Sequence, residues 1–347
     1  VPSLSRLDPN SVTHDPTLKQ PWVCIILLNY NGYEDTIECL ESLFKLEYKA
    51  FSLVVVDNNS TDSSLEKLTL WLEAQAAKTK TIIKVPFLKK VIYEEANGSL
   101  SEEKAWVTTI QVKENLGFAG GNNIGIAYAQ RHFSPEYVWL LNNDTVVVPN
   151  SLSKLVQKAQ EDLTLGRNIG IWGSKLLYYH KPDTIQAIGG KLNLTTFTTS
   201  HISEGLKDTP ATEIEHPSQD YVVGASLFVS RKFLELVGLL SEEYFLYFEE
   251  LDWAKRGLKA GFRLGYVPES KVYHKEGSSI GSSSTGKKKS DLADYHGIRS
   301  KIIFFRKFYP ERTLQLYTIL LGSVLLRLCR FQFKRAFRVL RLMCLIR

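Results

Sequence analysis

The sequence predicts an α/β fold: a mostly parallel central sheet with helices on both faces. Three observations predict it. Short apolar runs recur at residues 22–28, 51–56, 106–112 and 137–141, each the length of a buried strand. Stretches with helical spacing alternate with them. Two of the runs end in polar clusters: Val54-Val-Val56 leads into Asp57-Asn-Asn-Ser-Thr-Asp62, and Tyr137-Val-Trp-Leu-Leu141 leads into Asn142-Asn143-Asp144. Polar groups at the end of a buried strand are costly unless a ligand satisfies them, so the pair predicts a crevice along one edge of the sheet.

The elements follow in order. Residues 22–28 are the first strand and Asn29-Tyr-Asn-Gly32 a turn. Ile37, Leu40, Leu43 and Phe44 give residues 34–46 a helical apolar stripe. Residues 51–56 are the second strand, and Ser60-Thr-Asp62 caps a helix reaching about Ala77. Residues 81–93 read as an extended excursion, 94–104 as a polar loop and 106–112 as a strand. Gly120-Gly-Asn-Asn123 opens a small-residue helix to Arg131; a strand at 137–141 and a helix at 149–162 follow. Beyond Asn168 the pattern loosens into strands at 169–172, 185–188, 221–229 and 262–267, with a helix at 248–260. Residues 277–290, nearly all Gly, Ser, Thr and Lys, read as a mobile loop, and the chain is helical from Asp291.

With 347 residues, 44% hydrophobic and 23% charged, the chain has material for one large or two ordinary domains. Residues 1–20 read as a polar tail without a signal peptide. Four scattered cysteines in no metal-binding or disulfide spacing point to a reducing compartment. The net charge of +6 is uneven. Residues 299–347 hold twelve Lys/Arg and one acid, Glu311, which leaves 31 basic against 36 acidic residues before them. The body therefore does not suit nucleic acid, and the basic segment calls for an acidic partner or solvent.

Several clusters carry chemistry. Asp57-Asn-Asn-Ser60 admits two readings, a strand-end turn with a helix cap or an acceptor for a pyrimidine N–H. Asn115-Leu-Gly-Phe-Ala-Gly-Gly-Asn-Asn123 packs three glycines and three amides into nine residues, which lets backbone approach a ligand closely. It lacks the spacing of a dinucleotide fingerprint. Asp144 is a hard oxygen ligand for a divalent cation on a diphosphate, and His274 is a candidate second ligand. Glu249, Glu250 and Asp252 sit among aromatics, where burial raises a carboxyl toward general-base work; their other reading is a solvated first turn of a helix.

Together these pieces resemble the family 2 glycosyltransferases of the GT-A fold, nearest their bacterial rhamnosyltransferase-like branch. The matching pieces are Leu28-Asn-Tyr-Asn31, Val56-Asp-Asn-Asn-Ser-Thr-Asp62, the 115–123 stretch, Leu141-Asn-Asn-Asp-Thr145, Tyr221-Val-Val-Gly-Ala-Ser-Leu227, Phe248-Glu-Glu-Leu-Asp-Trp253 and Val272-Tyr-His-Lys-Glu-Gly277. They span residues 21–306 in the family's order. The resemblance implies a GT-A domain at 21–298, with a nucleotide-binding half at 21–150 and an acceptor-binding half at 151–298. A basic amphipathic helical extension follows at 299–347. It implies a donor nucleotide held by Asn29, Asn31, Asp57 and Asn59, by Asn115, Gly117 and Asn122, and by Asn142 and Asn143. It implies a divalent cation, Mn2+ or Mg2+, on Asp144 and His274. Gly224, Ala225 and Trp253 would face the acceptor. Glu250 would be the base beside Glu249, unless Asp252 serves instead. Asn142 stands where the family's Asp-x-Asp has its first acid, and Glu250 where its base is Asp.

The implied reaction is inverting transfer of a sugar, rhamnose from a thymidine diphosphate donor, to a saccharide or polyprenyl-linked acceptor in cell-surface polysaccharide synthesis. The alternatives are a UDP-hexose-dependent transferase of the same fold and a non-catalytic sugar-nucleotide-binding protein. A pyrophosphorylase would need a basic, Gly-rich loop after the first strand, where Asn29-Tyr-Asn-Gly32 carries no Lys or Arg. Lys287-Lys-Lys289 would close over the diphosphate or remain a solvated loop. In the extension, Arg327, Arg330, Lys334, Arg338 and Arg341 share one helical face and Phe333, Phe337, Leu340 and Met343 another. That pattern fits peripheral contact with an anionic membrane, on the cytoplasmic face of the inner membrane, or a helix packed on the protein.

Overall fold

β1 (Val23–Asn29) is buried at six of its seven residues, and β2 (Phe51–Asp57) at all seven. Strands without a wet face must be covered on both sides, and helices supply the cover. The computed structural model describes residues 20–78, 88–92, 107–214, 216–275 and 290–345. Around β1 and β2 lie α1 (Tyr33–Leu43), α2 (Ser64–Lys78), β3 (Leu88–Ile92), β4 (Val107–Gln111), α3 (Gly117–His132) and β5 (Tyr137–Asn142). Next come β6 (Thr145–Val147), α4 (Ser151–Thr164), β7 (Ile169–Tyr178), β8 (Lys181–Ala187), β9 (Gly190–Asn193) and β10 (Thr198–His201). The rest are β11 (Ser226–Ser230), α5 (Arg231–Val237), α6 (Glu249–Lys259), β12 (Arg263–His274), α7 (Asp291–Phe308), α8 (Thr313–Cys329) and α9 (Phe333–Leu345).

Among the described residues ten strands form one sheet, ordered β3-β4-β2-β1-β5-β11-β7-β12-β6 with β8 beside β7. The first five pair in parallel, β11 runs antiparallel between β5 and β7, and β12 lies parallel to β7. Side-chain alternation along β1 feeds two cores. Ile25 and Leu27 pack with Leu40, Leu43, Leu68, Leu72 and Leu152 of α1, α2 and α4. Cys24 and Ile26 face Ile126 and Ala129 of α3. Each such aliphatic side chain stabilises the fold by about 1.5–3 kcal/mol, so Ile25→Ala, which also leaves a cavity, would cost about 2–5 kcal/mol. Gly125 lets α3 approach the sheet closely: a Cβ there would lie 2.5 Å from a methyl of Ile26.

Several boundaries differ from the sequence expectation. β7 runs on to Tyr178 instead of stopping at 172. Its apolar pattern is interrupted by Lys175, which is buried but paired with Asp208 at 2.8 Å and Glu213 at 2.5 Å. β12 likewise continues past 267 to His274, through a register shift between Val267 and Lys271. Pro268 falls inside that shift, where the missing N–H costs no ladder bond. The expected strand at 221–229 shrinks to β11, and residues 222–225 become a loop over the sheet edge. The polar β9–β10 hairpin was not expected. The polar loop at 94–104, nearly all of the tail at 1–20 and the Lys287–289 loop lie outside the described residues.

The C-terminal helices pack on the body. Phe305 of α7 stacks on Phe197 with ring centroids 4.0 Å apart. Leu316, Leu320 and Val324 of α8, and Ala336, Val339 and Leu342 of α9, extend that core. α7 crosses residue 298 without a break, so the helical extension begins inside a helix that belongs to the body.

Candidate active site

The crevice lies where the order of strands puts it, beyond the carboxyl ends of β1, β2 and β5 and next to antiparallel β11. It is a cavity of about 440 Å³. Leu28, Tyr30 and Asn58 line it from β1 and β2, and Asn115, Gly117, Phe118 and Asn122 from the start of α3. Asn142, Asn143 and Asp144 line it from β5, Gly224 and Ala225 from the loop before β11, Glu249 and Glu250 from α6, and His274 from β12.

Strand register brings Asp144 and His274 together. β6 pairs with β12 so that Thr145 faces His274, and the Lys275 N–H donates to the Asp144 carbonyl at 3.0 Å. The His274 Nε2 then sits 3.2 Å from Asp144 Oδ1. Nδ1 of the same ring lies 2.9 Å from Gln186 Oε1 of β8, a contact that holds the ring with Nε2 toward Asp144. Burial pushes the Asp144 carboxyl up, but His274 and then Lys275 outweigh it and hold the group below its usual range. Lys275 is itself clamped to Asp35 at 2.6 Å and to Glu38.

Glu249 and Glu250 differ. They open α6 after Tyr247 and Phe248, two non-glycine residues with φ of 69° and 71°. That left-handed turn stores strain and tips the acids into the cavity instead of the solvent. Glu249 Oε2 and Glu250 Oε2 are buried and make no hydrogen bond among the described residues. Burial pushes Glu250 up to about 7. It raises Glu249 well above its usual value too, with the charge of Glu250 adding to it. Buried carboxyl oxygens without partners, facing an open cavity, are groups that a ligand would satisfy.

The amide-rich stretch is held by Asn58. Its Nδ2 donates to Asn115 Oδ1 at 2.9 Å and to the Gly117 carbonyl at 3.1 Å, while its Oδ1 accepts from the Leu116 N–H at 3.0 Å. Gly117 has φ +70°, and a Cβ there would meet the Phe245 carbonyl oxygen at 2.2 Å, so only glycine fits. Asn123 ties α3 to the Leu240 carbonyl at 2.9 Å.

Other expected site residues lie elsewhere. Asn29 is fully buried; it donates to Asp57 at 2.8 Å and accepts from Thr36 at 2.9 Å. Asp57 also accepts from the Ser60 N–H at 3.0 Å, and Asn31 from the Thr61 N–H at 2.7 Å. These three and Asn59 do not line the cavity. Asn143 reaches the cavity wall, yet its amide donates to Thr36 Oγ1 at 2.9 Å. Asp252 is fully buried away from the cavity. It pairs with Arg256 at 2.5 Å and Lys307 at 2.8 Å and accepts from the Tyr244 hydroxyl at 3.2 Å, which rules it out as the base. Trp253 is a core residue, its ring edge-on to Phe233 and its N–H bonded to the Gly238 carbonyl at 2.9 Å, so it does not face an acceptor. Sequence reasoning missed Asn58, Gln186 and the aromatic lining of Tyr30, Phe118, Tyr221, Phe245 and Tyr247. Asn58 carried a signal, the polar run after β2; the lone Gln186 carried none.

Comparison with known proteins agrees with this architecture. The family model described as "Glycosyltransferase like family 2" matches residues 90–289, and that described as "Glycosyl transferase family 2" matches residues 24–84. The low-salt glycan biosynthesis hexosyltransferase Agl10 of Haloferax volcanii is 25% identical over 186 residues, 52% of this chain and 57% of that protein. The chain thus spans little more than half the length of this curated relative. The structure of GalNAc-T7 with UDP, GalNAc and Mn2+ superposes with a TM-score of 0.55 at 16% identity, over 81% of this chain and 47% of that one. The mannosyltransferase PcManGT from Pyrobaculum calidifontis, in complex with GDP-Man and Mn2+, gives 0.50 at 15% identity, over 96% of this chain and 78% of that one. These structural likenesses establish the GT-A fold. The first family match covers well over half of the chain and contains Asp144, Glu249, Glu250 and His274, and the protein belongs to the glycosyltransferase-like family 2.

Proposed function

We propose that the protein is an inverting glycosyltransferase that moves a sugar from a nucleoside-diphosphate donor to an acceptor hydroxyl. One observation carries the reading: a single cavity holds the Asp144–His274 pair and, separately, Glu249 and Glu250, each with a buried carboxyl oxygen that has no hydrogen-bond partner among the described residues. A binding protein without chemistry has no need of the second set.

Asp144 and His274 fit a divalent cation. A carboxylate and an imidazole nitrogen 3.2 Å apart, with the ring oriented by Gln186, would supply two ligands to such an ion. Mn2+ or Mg2+ held there would neutralise charge on the leaving diphosphate. Glu250 acts as the base. The acceptor oxygen forms its bond to the anomeric carbon, its proton passes to Glu250, and the carbon–oxygen bond to the diphosphate breaks with its electron pair leaving on that oxygen. Attack from the face opposite the diphosphate inverts the centre. A carboxyl raised to about 7 is matched to this task near neutral pH. Asn115, Gly117, Asn122 and Asn142 would contact base and ribose, with Asn29, Asn31, Asp57, Asn59 and Asn143 shaping the floor beneath. Gly224 and Ala225 would face the acceptor.

Rhamnose from dTDP-rhamnose, with a saccharide or polyprenyl-linked acceptor in polysaccharide synthesis, is the finer reading, supported by the motif resemblance. A UDP-hexose donor is the second reading, favoured by the hexosyltransferase named among the relatives. A peripheral position on the cytoplasmic face of the inner membrane completes the proposal. No described helix is long and apolar enough to cross a membrane. Melting-temperature shifts against UDP-, dTDP- and GDP-sugars with and without Mn2+, followed by donor hydrolysis, test the reading. Cation-dependent stabilisation by one nucleotide class supports it; no shift with any of them overturns it.

A further inference from the structure

The two last helices carry more apolar surface than the core uses. Along α9, Ala336, Val339 and Leu342 face inward and are buried. A second stripe, Phe333, Phe337, Leu340 and Cys344, follows the same three-to-four spacing on the outside. Phe333 is 60% and Phe337 70% exposed, and Phe331 in the preceding turn is 80% exposed, its ring 6.2 Å from that of Phe333. α8 repeats the arrangement: Leu316, Leu320 and Val324 turn inward, while Leu314, Leu321, Leu325 and Leu328 turn outward. A continuous apolar stripe facing water marks a surface with a partner.

The basic residues divide in a way the sequence does not show. Arg327 pairs with Asp294 at 2.6 Å, and Arg335 with Asp291 at 2.6 Å; Arg338 lies 3.9 Å from Asp291. These three clasp the hairpin to the first turn of α7. Arg330, Lys334 and Arg341 are exposed instead, and at 100° per residue Lys334 and Arg341 flank the outer stripe of α9. An apolar stripe edged by cations, on a 13-residue helix too short to span a bilayer, suits the interface of an anionic membrane.

We propose that the outer face of the C-terminal hairpin docks on anionic phospholipid. Phe331, Phe333, Phe337 and Leu340 enter the acyl boundary, and Arg330, Lys334 and Arg341 meet lipid phosphates. This deepens the membrane part of the proposed function and is read out without any sugar transfer. The clasp gives docking a link to the cavity, because Leu292, between Asp291 and Asp294, lines the cavity.

The test is co-sedimentation of the full chain with phosphatidylcholine vesicles, with and without phosphatidylglycerol, at low and high salt. The wild type should bind the anionic vesicles and release in salt. F333E/F337E and, separately, R330E/K334E/R341E should each lower the partition by roughly tenfold or more, with unchanged melting temperature and nucleotide response. The charge-reversal variant alters only exposed side chains, so it reads the surface even if the phenylalanine variant folds poorly. Wild-type protein that ignores anionic vesicles, or both variants binding as well as wild type, overturns the proposal. So does a stable dimer in solution that F333E/F337E splits, since the face would then belong to a second copy.

Discussion

The cavity holds two pairs of titratable groups, and their surroundings drive them apart. At one end Asp144 is buried but faces His274 and Lys275, and its carboxyl is held low. At the other end Glu249 and the half-buried Glu250 have desolvated carboxyls with no cation to offset the burial, and both are held high. Burial is common to both; the difference is the cation. A carboxylate kept ionised beside an imidazole can hold a metal ion, whereas a carboxylate whose proton affinity is raised by burial can take a proton near neutral pH. The proposed division of tasks rests on this contrast.

The largest effect belongs to Asp144: Asp144→Ala should lower cation-dependent turnover by on the order of a thousandfold, measured as donor hydrolysis with Mn2+. Next, Glu250→Gln should lower kcat by roughly 10²–10⁴-fold while donor binding by calorimetry stays intact. The wild-type rate should fall as pH drops through about 7, because Glu250 accepts a proton only when ionised, and the Gln variant should lose that limb. Gln186→Leu should cost about 10–100-fold in cation affinity by freeing the His274 ring, with the pH limb unmoved.

The smallest change in activity is expected from Asp252→Asn. That substitution leaves Lys307 and Arg256 facing an amide, so it should lower stability by about 3–5 kcal/mol in denaturant melts and keep the pH limb of Glu250. A stability signature accompanies the Glu pair. Carboxyls raised in the folded state favour folding at acid pH, and that contribution is lost as pH rises through their folded values. Ligand-free protein should therefore lose stability between about pH 4.5 and 7, and Glu249→Gln/Glu250→Gln should flatten that slope.

Much of this was legible in the sequence where burial leaves a continuous signature. β1, β2 and β5 are apolar on both faces, and their polar ends marked the crevice. Asp144, Glu250 and His274 stood out because acids and imidazoles beside apolar runs are costly. What stayed hidden depends on partners far along the chain. Lys175 masks half of β7 because its counter-charges, Asp208 and Glu213, are more than thirty residues away. Asp252 looked equivalent to Glu250, yet the turn of α6 points one acid into the cavity and the other toward Lys307 of α7. Asn29 and Asp57 were expected to touch nucleotide; in the ligand-free chain they bond to each other and do not line the cavity. In α8 and α9 the sequence showed one basic face; only the fold reveals that Asp294 and Asp291 take up Arg327 and Arg338 of it.

In the proposed mechanism Asp144 anchors the cation through which a donor nucleotide is bound. Melting curves of wild type and Asp144→Ala with Mn2+ and each of UDP, dTDP and GDP test it most directly. One nucleotide should stabilise the wild type by several degrees only when Mn2+ is present, and Asp144→Ala, compared with its own ligand-free melting temperature, should lose this metal-dependent part. Equal metal-dependent stabilisation of the variant would contradict it.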